Sequence, residues 1–303
     1  MKIKARFGFK TGLLALLLST SLNAEEQSPD FETTEVSPGL YMISGVGGFT
    51  GGNIGLSIGT DGVVMIDDSM PPLVEKLKEA IKTVTPNNVD FLVNTHVHGD
   101  HTGNNHNFGG QGTHIVAHQN LRHHLLSKGF STPEGNKPAP KASLPVITFS
   151  QEMAFHLNNE DAQIFHAANA HTDGDAVIHF KNANVIHTGD IFFNKMFPFI
   201  DLNSGGSVDG YIKAQEKILS IADDQTKIIP GHGPLATRKD LAATIAMLKE
   251  SRELILAEIK AGNSEEQVVK SNPLKKFHDA WNWQFITTER MTRQLYKGLT
   301  ASK

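Results

Sequence analysis

The feature that most constrains this chain is a dense run of metal-ligand side chains that follows a short apolar strand. The strand is predicted at residues 91–93, and the run consists of His96, His98, Asp100 and His101. Imidazole and carboxylate groups bind divalent ions such as zinc when no thiolate is available, and the chain has no Cys. Two residues apart in an extended segment, His96 and His98 point the same way and can bind one ion. A glycine follows them, so the backbone can turn Asp100 and His101 toward a second ion.

Three later segments repeat the pattern of a buried strand that ends in a ligand-type residue beside glycine. They are residues 170–175, 187–190 and 229–234. Taken alone, a His or Asp at a strand end is usually an ordinary polar residue of a turn. Together with the first run, the three segments predict ligands that converge from several strand ends, as a closed two-metal site requires.

The order of the predicted elements indicates two similar β/α halves within one domain at residues 25–303. A connection rich in Gly, Pro, Ser and Lys separates the halves at about residues 129–145, or covers a site as a loop. The halves are expected to pack sheet to sheet with their helices outside. Extra C-terminal helices are expected at about residues 262–303, where Trp281 and Trp283 would pack into the core or a subunit contact.

The first 24 residues have the layout of a secretory signal peptide. A basic start is followed by the apolar run at residues 13–18 and by small and polar residues up to Ala24. The run is too short to span a bilayer as a retained helix, although an uncleaved anchor is the alternative. We expect cleavage after Ala24 and a periplasmic or secreted protein without stable membrane insertion. A formal net charge of −4 gives no electrostatic case for binding nucleic acid.

The intact His-x-His-x-Asp-His signature at residues 96–101 and the three later segments resemble the metallo-β-lactamase superfamily over about residues 35–260. The resemblance implies an α+β fold, the four-layer αβ/βα sandwich, with the site between the two sheet edges. It also implies two zinc ions, the first held by His96, His98 and His171 and the second by Asp100, His101 and His232, with Asp190 bridging. The same ligand chemistry would accept iron or manganese.

The implied function is zinc-dependent hydrolysis of a small carbonyl compound, in which metal-activated hydroxide attacks the carbonyl carbon. By analogy, Asp100 would orient the nucleophile and shuttle its proton. Well-known zinc lactamases carry Cys at the position of Asp190, whereas glyoxalase II-type thioesterases and lactonases carry Asp. A β-lactam and a lactone or thioester therefore both stay open as substrates. An alternative from another class is a non-catalytic metal- or partner-binding module, against which the intact ligand set argues.

Three residues outside the ligand set are candidates for substrate contacts. Phe49 is the apolar tip of the glycine-rich segment at residues 45–53, which forms either a mobile flap or an ordinary hairpin turn. Lys195 would pair with a substrate carboxylate, or it is a solvated loop residue. Asn203 would donate a hydrogen bond to the oxyanion, or it is an ordinary turn residue.

Overall fold

The computed structural model describes residues 28–132 and 135–301, and the predicted signal peptide lies outside them. The described strands are β1 (Asp30–Ser37), β2 (Leu40–Val46), β3 (Ile54–Gly59), β4 (Gly62–Ile66), β5 (Phe91–Val93), β6 (His114–His118), β7 (Phe130–Thr132), β8 (Gly135–Lys137), β9 (Ile147–Phe149), β10 (Glu152–Leu157), β11 (Glu160–Ala167), β12 (Asp175–Phe180), β13 (Val185–His187), β14 (Lys227–Ile229) and β15 (Ala236–Thr237). The described α-helices are α1 (Val74–Lys82), α2 (Gly99–Thr102), α3 (Asn105–Gly110), α4 (Gln119–Ser127), α5 (Val208–Ile221), α6 (Arg238–Lys260), α7 (Glu265–Ser271), α8 (His278–Trp281) and α9 (Thr288–Ala301). Among these helices, none combines the length and the apolar character needed to cross a bilayer.

The strands form two large sheets and one hairpin. The first sheet has the order β1-β2-β3-β4-β5-β6-β9 and is antiparallel up to β4 and parallel from β4 to β9. The second sheet has the order β10-β11-β12-β13-β14-β15, in which only β13 and β14 are parallel. Strands β7 and β8 pair with each other in a separate two-stranded sheet. The parallel strands end at the same sheet edge, which is where the predicted ligands follow them.

The apolar alternation of the strands explains how the sheets stack. In β4, Val64 and Ile66 face the core between the two sheets, whereas Val63 and Met65 face the helices outside the first sheet. Both faces are apolar because both are covered, which is typical of strands inside layered α/β structures. Helices α1 and α3 cover the first sheet, and helices α5 and α6 cover the second. The predicted four-layer αβ/βα sandwich is confirmed.

The segment at residues 129–145 is not a simple connection between the sheets. It contains the hairpin of β7 and β8 and then leads into β9, which pairs with β6 at the edge of the first sheet. The chain therefore passes to the second sheet only after Phe149. Helix α2 begins inside the histidine run, at Gly99.

The C-terminal helices build a further core of their own against α5 and α6. This core holds the segment at residues 197–200, which lies between two parts of the site described below. Gln294 of α9 accepts a hydrogen bond from the backbone N–H of Ile200 at 2.9 Å and donates one to the carbonyl of Pro198 at 3.1 Å. Because all these groups are buried, the bonds fix the segment to α9.

Leu295 of α9 has no exposed surface and packs in this C-terminal core. We expect Leu295→Ala to lower the free energy of unfolding by about 2–5 kcal/mol, since it removes buried carbon atoms and leaves a cavity. Urea denaturation followed by circular dichroism measures the change. Lys297→Ala, on the exposed side of the same helix, should stay within about 0.5 kcal/mol of the wild type. Equal losses in the two variants would contradict the packing described.

Candidate metal centre

The ends of strands from both sheets bring the predicted ligands together. His96 follows β5 of the first sheet, whereas Asp190 follows β13 and His232 follows β14 of the second. His171 lies in the loop between β11 and β12. The ligand atoms form two groups, each within 4.8 Å, namely His96, His98, His171 and Asp190, and Asp100, His101 and His232. All seven side chains that the sequence points to therefore meet at one place.

The first group is a set of three imidazole nitrogens that face one point. Nδ1 of His98 lies 2.9 Å from Nε2 of His171 and 3.2 Å from Nε2 of His96. Burial and, to a smaller extent, neighbouring imidazoles lower the pKa of His171 to about 4 and the pKa of His96 well below its usual value. These two side chains are therefore neutral at pH 7, the form in which imidazole binds a metal ion.

The second group pairs imidazoles with a carboxylate that reaches the solvent side of the site. Oδ2 of Asp100 lies 3.3 Å from Nε2 of His232 and 3.6 Å from Nε2 of His101. Burial alone would raise the pKa of Asp100, but the charges of His101 and His232 outweigh it and lower the pKa to about 2. Burial alone would likewise lower the pKa of His232, yet Asp190 and Asp100 raise it to about 9. The carboxylates of Asp100 and Asp190 are thus stabilised by nearby positive charge, which protons or a metal cation can supply.

Asp190 lies between the two groups, with one oxygen toward each. Its Oδ2 is 3.7 Å from Nε2 of His96 and 3.6 Å from Nε2 of His171. Its Oδ1 is 3.1 Å from Nε2 of His101 and 3.4 Å from Nε2 of His232. Burial would raise the pKa of this carboxyl, but the imidazoles around it hold the pKa well below its usual range. The position is the one expected of a bridging ligand.

The donor atoms fit divalent metal ions. Nε2 of His101 and Oδ1 of Asp190 are buried without any hydrogen bond to the protein, and a buried polar atom without a partner costs about 1–3 kcal/mol. Two glycines leave room around them. A Cβ at Gly231 would lie 2.0 Å from Oδ1 of Asp190, and a Cβ at Gly52 would lie 2.1 Å from Cε1 of His101. Nitrogen and oxygen donors without sulfur suit zinc and other first-row divalent ions.

Asp67 orients one of the ligands, and the sequence analysis missed it. This buried residue follows β4 and accepts hydrogen bonds from the N–H and the hydroxyl of Thr95, both at 2.7 Å. Its Oδ2 also lies 2.8 Å from Nδ1 of His101. A proton shared there leaves Nε2 of His101 free to face Asp190. An acidic residue directly after a buried strand was the signal that could have identified Asp67.

The ligands of the first group are oriented in the same way. Oδ2 of Asp201 lies 3.0 Å from Nε2 of His98, so that Nδ1 of His98 faces the other two imidazoles. Nδ1 of His171 donates to the carbonyl of Phe199 at 2.8 Å, which leaves its Nε2 for the site. Asp201 was also missed, and it lies in a loop where no local pattern marks it.

A cavity of about 790 Å³ opens onto both groups of ligands. Its walls are formed by Phe49, His98, Gly99, Asp100, Asp190, Phe193, Phe199, His232, Trp283, Gln284 and Phe285. The ring of Phe49 stacks on His232 with a centroid distance of 5.9 Å, which places this predicted substrate contact at the site. Trp283 packs against the C-terminal core, as expected, and it also forms part of this wall.

The structure places the other two predicted substrate contacts outside the cavity. Lys195 is exposed, and its charge acts on Asp240 at the start of α6. Two residues before Lys195, the ring of Phe193 stacks on His232 at a centroid distance of 4.9 Å. Asn203 is also exposed, and its backbone N–H donates to Asp201. Neither Lys195 nor Asn203 is among the residues that line the cavity.

The hydrogen bond from Asp67 to His101 gives a direct test of the second group. We expect Asp67→Ala to weaken zinc binding by about 10- to 100-fold, because His101 loses the partner that fixes its ring and its proton. Competition with a chromogenic chelator measures the affinity. Asp224→Ala is the matched control, since the side chain of Asp224 is 93% exposed. Unchanged zinc affinity in Asp67→Ala would show that Asp67 does not orient a ligand.

The fold is shared with several solved structures at low sequence identity. The metallo-beta-lactamase from Pontibacter korlensis has a TM-score of 0.59 at 18% identity, covering 73% of this chain and 99% of that one. DIM-1 metallo-beta-lactamase has a TM-score of 0.59 at 16% identity, covering 73% and 97%. The stereoselective inverting sec-alkylsulfatase Pisa1 from Pseudomonas sp. has a TM-score of 0.65 at 15% identity, covering 88% of this chain and 50% of that one. No curated protein sequence matches the chain.

A sequence model of one protein family also matches the chain. It is described as the metallo-beta-lactamase superfamily, and it covers residues 47–232. This range is more than half of the chain, and it contains all seven residues of the two ligand groups. The chain therefore belongs to the metallo-beta-lactamase superfamily.

Proposed function

We propose that this protein is an exported dizinc hydrolase that cleaves a small carbonyl compound with water. The observation that carries the proposal is the position of Asp190, whose two oxygens are divided between two ligand groups beside an open cavity. The N-terminal pattern at residues 1–24 supports export to the periplasm or the medium.

Two zinc ions bound by these ligands would supply a water nucleophile that ionises near neutral pH and a Lewis acid for the carbonyl oxygen, without redox chemistry. Asp100 lines the cavity, and its low pKa keeps its carboxylate ionised, so it can accept a hydrogen bond from the attacking water and orient it. In the overall reaction, the oxygen of water bonds to the carbonyl carbon and the bond to the leaving heteroatom breaks. Asp100 is in position to pass the proton of water to that heteroatom.

The nature of the bridging residue supports a lactone or thioester over a β-lactam as the substrate. The chain carries Asp190 where well-known zinc lactamases of the superfamily carry Cys, and among the residues that the structure describes, the cavity wall contains no Lys or Arg that would pair with a lactam carboxylate. A β-lactam remains the second candidate, since two of the structural neighbours are described as metallo-beta-lactamases. A non-catalytic metal-binding module is the third, and the complete ligand set argues against it.

A substrate panel tests the proposal. We expect the zinc-loaded protein that starts at Glu25 to hydrolyse at least one of three carbonyl compounds, namely a nitrocefin-type lactam, a homoserine lactone and a glutathione thioester, whereas hydrolysis of a sec-alkyl sulfate alone would contradict the proposal. Chelation should abolish the activity and zinc should restore it. Asp100→Asn should lower kcat by about 10²- to 10⁴-fold, because the water loses its orienting base. Asp224→Ala should match the wild type.

Each outcome of the panel has a distinct meaning. Strong turnover of the lactone or thioester without turnover of the lactam would exclude a lactamase. A full zinc complement that is reduced in His98→Ala, combined with no hydrolysis of any compound, would contradict the proposal and favour the binding module.

A further inference from the structure

Five aromatic rings line the cavity, four of them in a continuous series of ring contacts and the fifth, Phe49, through its contact with His232. We call Phe49, Phe193, Phe199, Trp283 and Phe285 the aromatic wall. The ring centroids of Phe199 and Phe285 are 5.7 Å apart, those of Phe285 and Trp283 are 5.6 Å apart, and those of Trp283 and Phe193 are 6.2 Å apart. These distances are those of favourable aromatic contacts, so the rings support one another as one surface.

The aromatic wall packs against histidines of both ligand groups. Phe199 stacks on His98 of the first group, with a centroid distance of 5.8 Å and an interplanar angle of 29°. Phe193 stacks on His232 of the second group, at 4.9 Å and 23°. A molecule that presents a carbonyl to both groups must therefore place its remaining atoms against these rings.

The polarity of the cavity defines which molecules fit. In the described part of the chain, the charged or titratable residues of its wall are Asp100 and Asp190 besides His98 and His232, and no Lys or Arg is among them. The nearby guanidinium of Arg290 lies 4.1 Å from the ring centroid of Phe285, and its Nη1 donates to the carbonyl of Phe285 at 2.9 Å. Arg290 thus stabilises the position of Phe285 in the aromatic wall. A substrate carboxylate in the cavity would meet carboxylates and aromatic rings.

Two rings of the aromatic wall are exposed to water. This exposure has a free-energy cost that a bound apolar ligand would remove. Phe49 is 57% exposed and Phe285 is 46% exposed, and they are the two exposed Phe side chains in the described part of the chain. They lie at the same cavity and contribute to one apolar surface. An apolar surface of this kind, next to polar ligands, is typical of a binding site.

We infer that the aromatic wall binds the apolar alkyl or aryl group of a neutral carboxylic ester, whose carbonyl lies at the two ligand groups. The inference rests on the proposed function and adds the substrate class to it. Trp283 and Phe285 lie beyond residues 47–232, the range that matches the family, so two of the five rings come from the C-terminal segment of this chain. Hydrolysis of such an ester breaks the acyl C–O bond and yields an acid and an alcohol.

The C-terminal part of the wall is held in place before any ligand binds. Nε1 of Trp283 donates to the carbonyl of Phe197 at 2.9 Å, and the N–H of Phe197 donates to the carbonyl of Trp281 at 2.8 Å. The N–H of Trp283 donates to the carbonyl of Ile286 at 3.4 Å. A site that is fixed in this way loses little conformational entropy when a ligand binds.

Kinetics with esters of increasing length test the inference. For zinc-loaded protein and 4-nitrophenyl esters, we expect kcat/KM to rise by at least tenfold from acetate to hexanoate, because each buried methylene contributes up to about fourfold. Phe285→Ala should reduce this hexanoate-to-acetate ratio by at least threefold. Leu126→Ala should keep the ratio, since Leu126 is an apolar residue of α4 that is 60% exposed outside the cavity.

Tryptophan fluorescence tests binding without hydrolysis. Trp281 and Trp283 are the two Trp residues of the chain, so Trp281→Phe reports Trp283 alone and Trp283→Phe reports Trp281 alone. We use 2-octanone as the probe, a neutral apolar ketone that has no leaving group. A saturable change in emission is expected in zinc-loaded Trp281→Phe and not in Trp283→Phe.

The results separate this inference from the proposed function. Saturable ketone binding at Trp283 without hydrolysis of any ester or of any compound of the substrate panel would support the apolar site and contradict the hydrolase. Hydrolysis with a hexanoate-to-acetate ratio near one and no response of Trp283 would support the hydrolase and overturn the inference. A higher kcat/KM for the anionic 4-nitrophenyl succinate than for the neutral butyrate would also overturn it.

Discussion

A carboxylate buried among four imidazoles is the interaction on which the rest of the site depends. Asp190 has its two oxygens between 3.1 and 3.7 Å from Nε2 atoms of two ligand groups. A buried negative charge of this kind is stable only when positive charge is close by. The two sheets must therefore meet so that strand ends from both supply ligands, and glycines must stand where any side chain would fill the centre. Gly52 and Gly231 meet that requirement.

The sequence predicted the parts of the site that local patterns encode. The run from His96 to His101 and the three later strand ends carry their own signals, namely ligand spacing and the change from apolar strand to glycine turn. The layered fold follows from the same alternation of strands and helices. The seven ligands could be identified because each follows a recognisable strand or lies in a turn next to one.

The residues that orient the ligands depend on contacts between distant parts of the chain. Asp67 meets His101 across 34 residues, and Asp201 meets His98 across 103 residues. Only the packed sheets bring these pairs together. The positions of Lys195 and Trp283 could not be predicted for the same reason. The charge of Lys195 acts on Asp240, and the position of Trp283 in the cavity wall depends on hydrogen bonding to the segment at residues 197–200. A single side chain in a loop carries no pattern that predicts such a placement.

The C-terminal helices connect the fold to specificity. They hold the segment that bears Phe199 and Asp201, and the loop between α8 and α9 provides Trp283 and Phe285 of the aromatic wall. The metal ligands and the apolar surface therefore form one unit, although His96 and Phe285 lie more than 180 residues apart in the sequence. Native mass spectrometry of the protein after equilibration with zinc tests most directly whether Asp190 bridges two metal ions. Two zinc ions per chain are expected, and a chain that binds one ion or none would contradict the bridging role of Asp190.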